Sequence, residues 1–179
     1  LITSVKEPSL EEAEKLFTDK KVKVLLVTGG PAVVKHAMKT GKKTVAAGPG
    51  NPPVIVDETA VFPKCAYDII SGASFDNGIL CTAEKEVIVL EKAKDRFLEA
   101  MRSDKRAFEL TASQMDELAK INIKEPGRSG KEGSMNRTYI GKNASLIAKS
   151  IGLNISDGVR LLWGVVDKSH PYVWTEQLQ

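Results

Sequence analysis

The sequence predicts an α/β fold on three observations: short β-branched strands alternate with amphipathic helices, the links between them are short, and the strands are apolar almost throughout. Ser9 and Glu12 make a capping-box pattern ahead of Leu10, Ala13, Leu16 and Phe17, which predicts a helix over 9–18. Residues 22–27, Val-Lys-Val-Leu-Leu-Val, then read as a strand covered on both faces. It ends at Thr28-Gly29-Gly30-Pro31, where the glycines free the backbone and Pro31 suits a first helical position. A helix over 31–40, a stop at Gly41 and a strand over 43–47 follow. Helix, strand, helix, strand with tight links implies right-handed parallel crossovers.

Residues 48–53, Gly-Pro-Gly-Asn-Pro-Pro, can continue neither element, so a domain junction is expected there. Beyond it the pattern predicts a strand over 54–56, a helix over 62–71, a strand over 87–90 and a helix over 91–101. Residues 124–137 hold three glycines and a proline among charges and read as a mobile surface loop. A helix over 143–151 and a strand over 159–166 complete the reading.

Composition removes several function classes. The chain has 179 residues, 42% hydrophobic and 27% charged, with a net charge of +3 spread along its length, which gives no support to nucleic-acid binding. No apolar run approaches the roughly 20 residues that a membrane helix needs, and no leader pattern is visible, so a cytosolic protein is expected. Both cysteines, Cys65 and Cys81, read as free thiols. Neither His36 nor His170 has a carboxylate or thiol at metal-ligand spacing, so no metal is expected. The chain starts at Leu1 without Met and ends on Trp-Thr-Glu-Gln-Leu-Gln, which reads as an internal piece of something longer.

The segment 72–81, Gly-Ala-Ser-Phe-Asp-Asn-Gly-Ile-Leu-Cys, carries the most chemistry, because it places Cys81 where a loop enters a strand. Active sites of open α/β sheets gather at such places. Position alone leaves Cys81 either a nucleophile or a small packing residue, and Cys65, inside an amphipathic helix, reads as packing. Thr28, Gly29 and Gly30 open a helix whose free amides favour a phosphate. Asp57 and Glu58 read as caps of the following helix.

Three motifs taken together carry a resemblance: Val-Thr-Gly-Gly-Pro-Ala-Val-Val over 27–34, the stretch 41–57 through Gly-Pro-Gly-Asn-Pro-Pro, and Ala-Ser-Phe-Asp-Asn-Gly-Ile-Leu-Cys-Thr-Ala-Glu-Lys-Glu-Val over 73–87. They resemble the CoA-acylating branch of the aldehyde dehydrogenase superfamily, in particular the acetaldehyde and propionaldehyde dehydrogenases of ethanolamine and propanediol utilisation. The resemblance extends over essentially the whole chain.

It implies a Rossmann-like, three-layer parallel sheet: residues 1–48 would be the last βα units of an NAD-binding domain, and 49–179 most of a catalytic, cysteine-bearing domain. Carried over, Cys81 matches the nucleophile and Asn77 the Asn four residues before it. Thr28, Gly29 and Gly30 fall near the dinucleotide, and Glu176 at or beside the Glu that holds the nicotinamide ribose. The activity implied is oxidation of a short-chain aldehyde to acyl-CoA with NAD and coenzyme A, through a thioacyl cysteine. Hydrolytic relatives carry a water-activating Glu where this chain has Ala46, which favours a thiol acceptor over water. The family also implies a homo-oligomer at full length, in the cytoplasm or in the lumen of a bacterial microcompartment in association with its shell. The rival readings are a nucleotide-binding or packing module, inactive as an isolated fragment, and a hydrolytic aldehyde dehydrogenase.

Overall fold

The computed structural model describes residues 2–48, 50–129, 131 and 133–178. The polypeptide forms two compact units, Leu1–Pro49 and Gly50–Gln179.

The first unit contains helix α1 (Leu10–Thr18), strand β1 (Val24–Thr28), helix α2 (Pro31–Lys39) and strand β2 (Lys43–Ala47). The Ser9 hydroxyl accepts a hydrogen bond from the Glu12 amide at 3.1 Å, which satisfies one of the free amides at the start of α1. β1 and β2 pair in parallel, with Val24 opposite Lys43 and Thr28 opposite Ala47. The expectation of a strand covered on both faces is corrected here. Leu25 and Val27 are buried against Phe17, Val34 and Ala37, so both helices serve the same face. The other face leaves Leu26 79% exposed, beside exposed Val24 and Val45.

In the second unit, β3 (Pro53–Val56) pairs in parallel with β4 (Glu86–Val89), and helix α3 (Lys64–Ala73) crosses between them. A short 3-10 turn at Glu91–Ala93 leads into α4 (Lys94–Ser103). β5 (Ala107–Glu109) pairs in parallel with β8 (Leu161–Trp163). Ile69 and Ile70 of α3, Phe97 and Met101 of α4, and Val56 build one core, against which Val87, Ala107 and Leu161 pack. The four strands of these two parallel pairs therefore feed a single apolar layer under α3 and α4.

A second core gathers around α5 (Ala112–Asn122), α6 (Ala144–Lys149) and α7 (Pro171–Trp174), with Leu118, Ile147 and Tyr172 at its centre. The reading of 124–137 as a mobile loop is corrected: β6 (Ile123–Glu125) and β7 (Ser134–Met135) pair antiparallel, and Arg128 bridges Lys131 beyond them. Ile123 and Met135 are buried in this core, which anchors the hairpin at its base. The strand expected over 159–166 is shorter, because Arg160 and Leu161 are both held by the Arg106 carbonyl and pairing then runs only to Trp163.

Arg106 ties the first core together. It pairs with Asp104 at 2.5 Å, donates to Ser71 Oγ at 3.0 Å and lies 4.1 Å over the Tyr67 ring. The guanidinium holds the Asp104 carboxyl below the usual carboxylate range through that side-chain hydrogen bond.

Candidate active site

α3 ends at Ala73, and the chain then turns in a way few residues allow. Asp76, Asn77 and Gly78 are consecutively left-handed, at φ 49°, 53° and 70°. Such backbone costs about 1–2 kcal/mol at an ordinary residue, least for Gly, Asn and Asp, which are the residues present. The Asn77 amide secures the turn by donating to the Gly141 carbonyl at 3.1 Å and to Asn143 Oδ1 at 2.9 Å. Strained backbone of this kind concentrates at functional sites.

Cys81 follows on the loop between this turn and β4, and its thiol is exposed. The loop is pinned on both sides. Ala83 is buried and its amide closes a turn on Leu80 at 3.2 Å. The Glu84 carboxylate lies against Gly72 of α3, where any Cβ would collide with it. The Lys85 ammonium reaches back to donate to the Gly78 carbonyl, and its backbone amide donates to Pro52 at 3.1 Å as β4 begins. Burial pushes the Lys85 ammonium down from its ordinary value, opposed by Glu176, Cys81 and Glu84, which it faces.

Glu176 arrives from the far end of the sequence on a segment held at several points. The Asn51 amide donates to the carbonyls of Tyr172 and Thr175 at 3.0 and 2.9 Å, and its side-chain oxygen accepts from the Gln177 amide at 2.9 Å. From the other side, Thr175 Oγ1 accepts from the Gly127 amide at 2.9 Å. Gly127 and Gly133 of the hairpin lie where a Cβ would strike the Trp174 carbonyl and the Thr175 side chain. Gly127 and Gly133, two of the three glycines read as marks of mobility, are thus required by close backbone approach, and Gly130 lies outside the described residues. His170 is buried and caps α7 by accepting from the Tyr172 amide at 3.2 Å.

Cys65 differs from Cys81 in every respect that matters for reactivity. It is half-buried on α3 against the first core, and burial, with Asp68 nearby, pushes its thiol up.

Thr28, Gly29 and Gly30 lie exposed at the end of β1, in the first unit. Gly30 is the N-cap of α2, with no side-chain cap and no acidic residue in the first turn. A Cβ at Gly29 or Gly30 would meet nothing within 4 Å, so the helix end is open to an anionic group. Asp57 does not cap α3; its carboxylate accepts from the Thr59 amide and hydroxyl at 2.9 and 2.6 Å in a tight turn, and α3 begins later, after Pro63. Among the described residues no group of three or more His, Cys, Asp or Glu is arranged to hold a metal, and no helix is long and apolar enough to cross a membrane.

Reading the sequence missed Asn51 and Gly127. Only Asn51 left a signal, as the one polar side chain in the Gly-Pro-Gly-Asn-Pro-Pro break.

Comparison with known proteins finds relatives over nearly the whole chain. The model of the "Aldehyde dehydrogenase family" matches residues 1–122 of the 179. The acetylating acetaldehyde dehydrogenase EutE of Salmonella typhimurium is 42% identical over 99% of this chain. The CoA-propanoylating propanal dehydrogenase of Citrobacter freundii is 38% identical, also over 99%. The chain spans 38% and 37% of those two relatives' own lengths. A Rhodopseudomonas palustris propionaldehyde dehydrogenase with bound CoA and an acylated cysteine superposes with TM-score 0.81 at 33% identity, over 97% of this chain and 38% of that one. A propionaldehyde dehydrogenase from the fucose-utilisation microcompartment of Clostridium phytofermentans gives TM-score 0.80 at 32% identity, over 94% of this chain and 37% of that one. With the family model covering more than half of its length, this chain belongs to the aldehyde dehydrogenase family.

Proposed function

We propose that this chain carries the nucleophile of a CoA-acylating aldehyde dehydrogenase, which converts a short-chain aldehyde such as acetaldehyde or propionaldehyde to the acyl-CoA. The observation that carries this reading is the exposed Cys81 thiol, set directly after a left-handed turn and facing a half-buried lysine. That the similar Rhodopseudomonas palustris enzyme has a cysteine acylated in the presence of CoA supports it.

In this reaction the Cys81 thiolate attacks the aldehyde carbon to give a thiohemiacetal, with its own backbone amide as the proposed donor to the new oxyanion. NAD, when bound, supplies the acceptor for the hydride that leaves this carbon. Cys81 then holds the acyl group as a thioester until the coenzyme A thiol attacks it, releasing acyl-CoA and restoring the thiolate. Asn77 acts through the backbone: with its amide engaged by Gly141 and Asn143, it fixes the turn from which Cys81 projects. Glu176 is the residue proposed for the nicotinamide ribose hydroxyls, and its half-buried, firmly held segment fits that task. The open end of α2 at Thr28, Gly29 and Gly30 fits a phosphate of the dinucleotide. On this reading the first unit belongs to a cofactor domain and the second to a catalytic domain. A homo-oligomer and a microcompartment setting, with shell association, extend the proposal by analogy with such relatives.

The absence of a carboxylate at Ala46 makes the reading specific about its acceptor. Product analysis on the full-length protein is expected to give acyl-CoA with aldehyde, NAD and coenzyme A, and little free acid when coenzyme A is omitted. Rapid acid formation without coenzyme A would overturn it.

A further inference from the structure

We propose that the cavity between the end of α3 and the second core binds a short-chain carboxylate such as acetate or propionate. Lys142 and Arg160 meet its charge at the rim, and its oxygens accept from the Ser74 and Tyr172 hydroxyls. The site stands apart from the reading of Cys81, which is not among the residues that line it.

Two buried hydroxyls without partners mark the place. Ser74 and Tyr172 both line the cavity and are only 3% and 4% exposed, yet neither Ser74 Oγ nor the Tyr172 hydroxyl has a hydrogen-bond partner in the protein. A buried polar group left unpaired is costly, so two at one cavity point to a partner from outside the chain. Other serines at helix ends behave differently here. Ser71, Ser103 and Ser150 each donate back to a carbonyl of their own helix, at 2.7, 2.8 and 2.7 Å, whereas Ser74, directly after α3, does not. Tyr172 is likewise engaged at every other polar atom. Its amide donates to His170 Nδ1, and its carbonyl accepts from Asn51 Nδ2 and Gln177 Nε2.

Charge and shape then select the ligand. Lys142 and Arg160 are exposed and line the same cavity, no acidic side chain lines it, and among the described residues neither cation is in an ion pair. The wall between cations and hydroxyls is apolar, built by Leu110, Leu118 and Ile147 of the second core. Water would satisfy the hydroxyls and leave the cations unanswered. Inorganic phosphate would answer the cations and place a strongly hydrated ion against leucine and isoleucine. A carboxylate with a short apolar tail matches all three features. The cavity, about 60 Å³, holds several times what one water requires and excludes a long acyl chain.

The test is an NMR titration of the ¹⁵N-labelled chain with sodium propionate at constant ionic strength. The amide signals of Ser74, Asn77 and Tyr172, all at the cavity wall, are expected to move along one saturable curve with a Kd on the order of millimolar. Tyr172→Phe and Ser74→Ala each delete a hydroxyl that has no partner in the chain, so both variants keep the fold. Each is expected to weaken propionate roughly fivefold to tenfold, and Arg160→Gln by roughly tenfold. Propionamide, which keeps the shape and loses the charge, should bind roughly tenfold more weakly than propionate. Cys81→Ser should bind as wild type. Propionate carries no leaving group and cannot acylate Cys81, so the result does not bear on the nucleophile reading. Absence of a saturable shift in the folded chain would mean that the cavity holds water alone and would overturn the inference. So would binding that Ser74→Ala, Tyr172→Phe and Arg160→Gln all leave unchanged, because the anion would then lie on the surface.

Discussion

The Asn51 side-chain oxygen accepts a hydrogen bond from the Gln177 amide at 2.9 Å, across 126 residues of sequence. With its own amide on the Tyr172 and Thr175 carbonyls, one side chain satisfies three backbone groups of the segment that carries Glu176. Asn51→Ala is expected to leave the Thr175 carbonyl and the Gln177 amide without the Asn51 partner, while the Tyr172 carbonyl still accepts from Gln177 Nε2, at about 1–3 kcal/mol. Amide hydrogen exchange over residues 172–178 should accelerate roughly tenfold or more, while α4 keeps its wild-type protection. Unchanged exchange over this segment would show that other contacts hold it.

Gly127 makes the same point from the opposite side. A methyl group there would strike the Trp174 carbonyl, which is backbone and cannot swing aside. Gly127→Ala is therefore expected to destabilise the chain by about 2 kcal/mol or more, read as a lower urea midpoint. Gly30→Ala, where a Cβ meets nothing within 4 Å, serves as the comparison and should move the midpoint far less.

The left-handed turn yields a third prediction. Asn77→Val places a β-branched residue at φ 53° and removes the bonds to Gly141 and Asn143. A loss of about 2–4 kcal/mol is expected. Asn77→Gly keeps the backbone and loses only the bonds, so its urea midpoint should fall between wild type and Asn77→Val.

Acid acts on the Arg106 pair. Asp104, held below the ordinary carboxylate range by Arg106, contributes stability that is complete above its unfolded value of about 4. That contribution is lost as pH falls through the lower folded-state value. Urea midpoints of wild type and Asp104→Asn should differ at neutral pH and converge toward pH 3, by about 1 kcal/mol for a partly exposed pair. A constant difference across the series would assign the effect to packing.

Local signals in the sequence were legible where they are local in physics. Ser9 with Glu12, the Gly29-Gly30-Pro31 helix start and the apolar runs of β1 and β3 depend on neighbours a few residues away, and each appears close to its expected place. The Thr111–Gln114 capping box announces α5 by the same rule and passed unread, with the short β5 before it. Residues 124–137 misled because glycine reports a backbone need without saying which one: at Gly127 and Gly133 the need is the approach of Trp174 and Thr175. The site divides the same way. Cys81 and Asn77 are candidates drawn from a local motif, whereas Asn51 gains its meaning from partners as distant as Gln177, which no local pattern encodes.

The central claim, that Cys81 is an acyl-carrying nucleophile, is open to one direct measurement on this chain. Incubation with propionyl-CoA should move the propionyl group from the coenzyme sulfur to the Cys81 sulfur, releasing free coenzyme A in a redox-neutral thioester exchange. Peptide mass spectrometry is expected to find the propionyl thioester on Cys81 and not on Cys65, and added coenzyme A should remove it. Propionylation confined to Cys65, or absent from a folded chain altogether, would contradict the account.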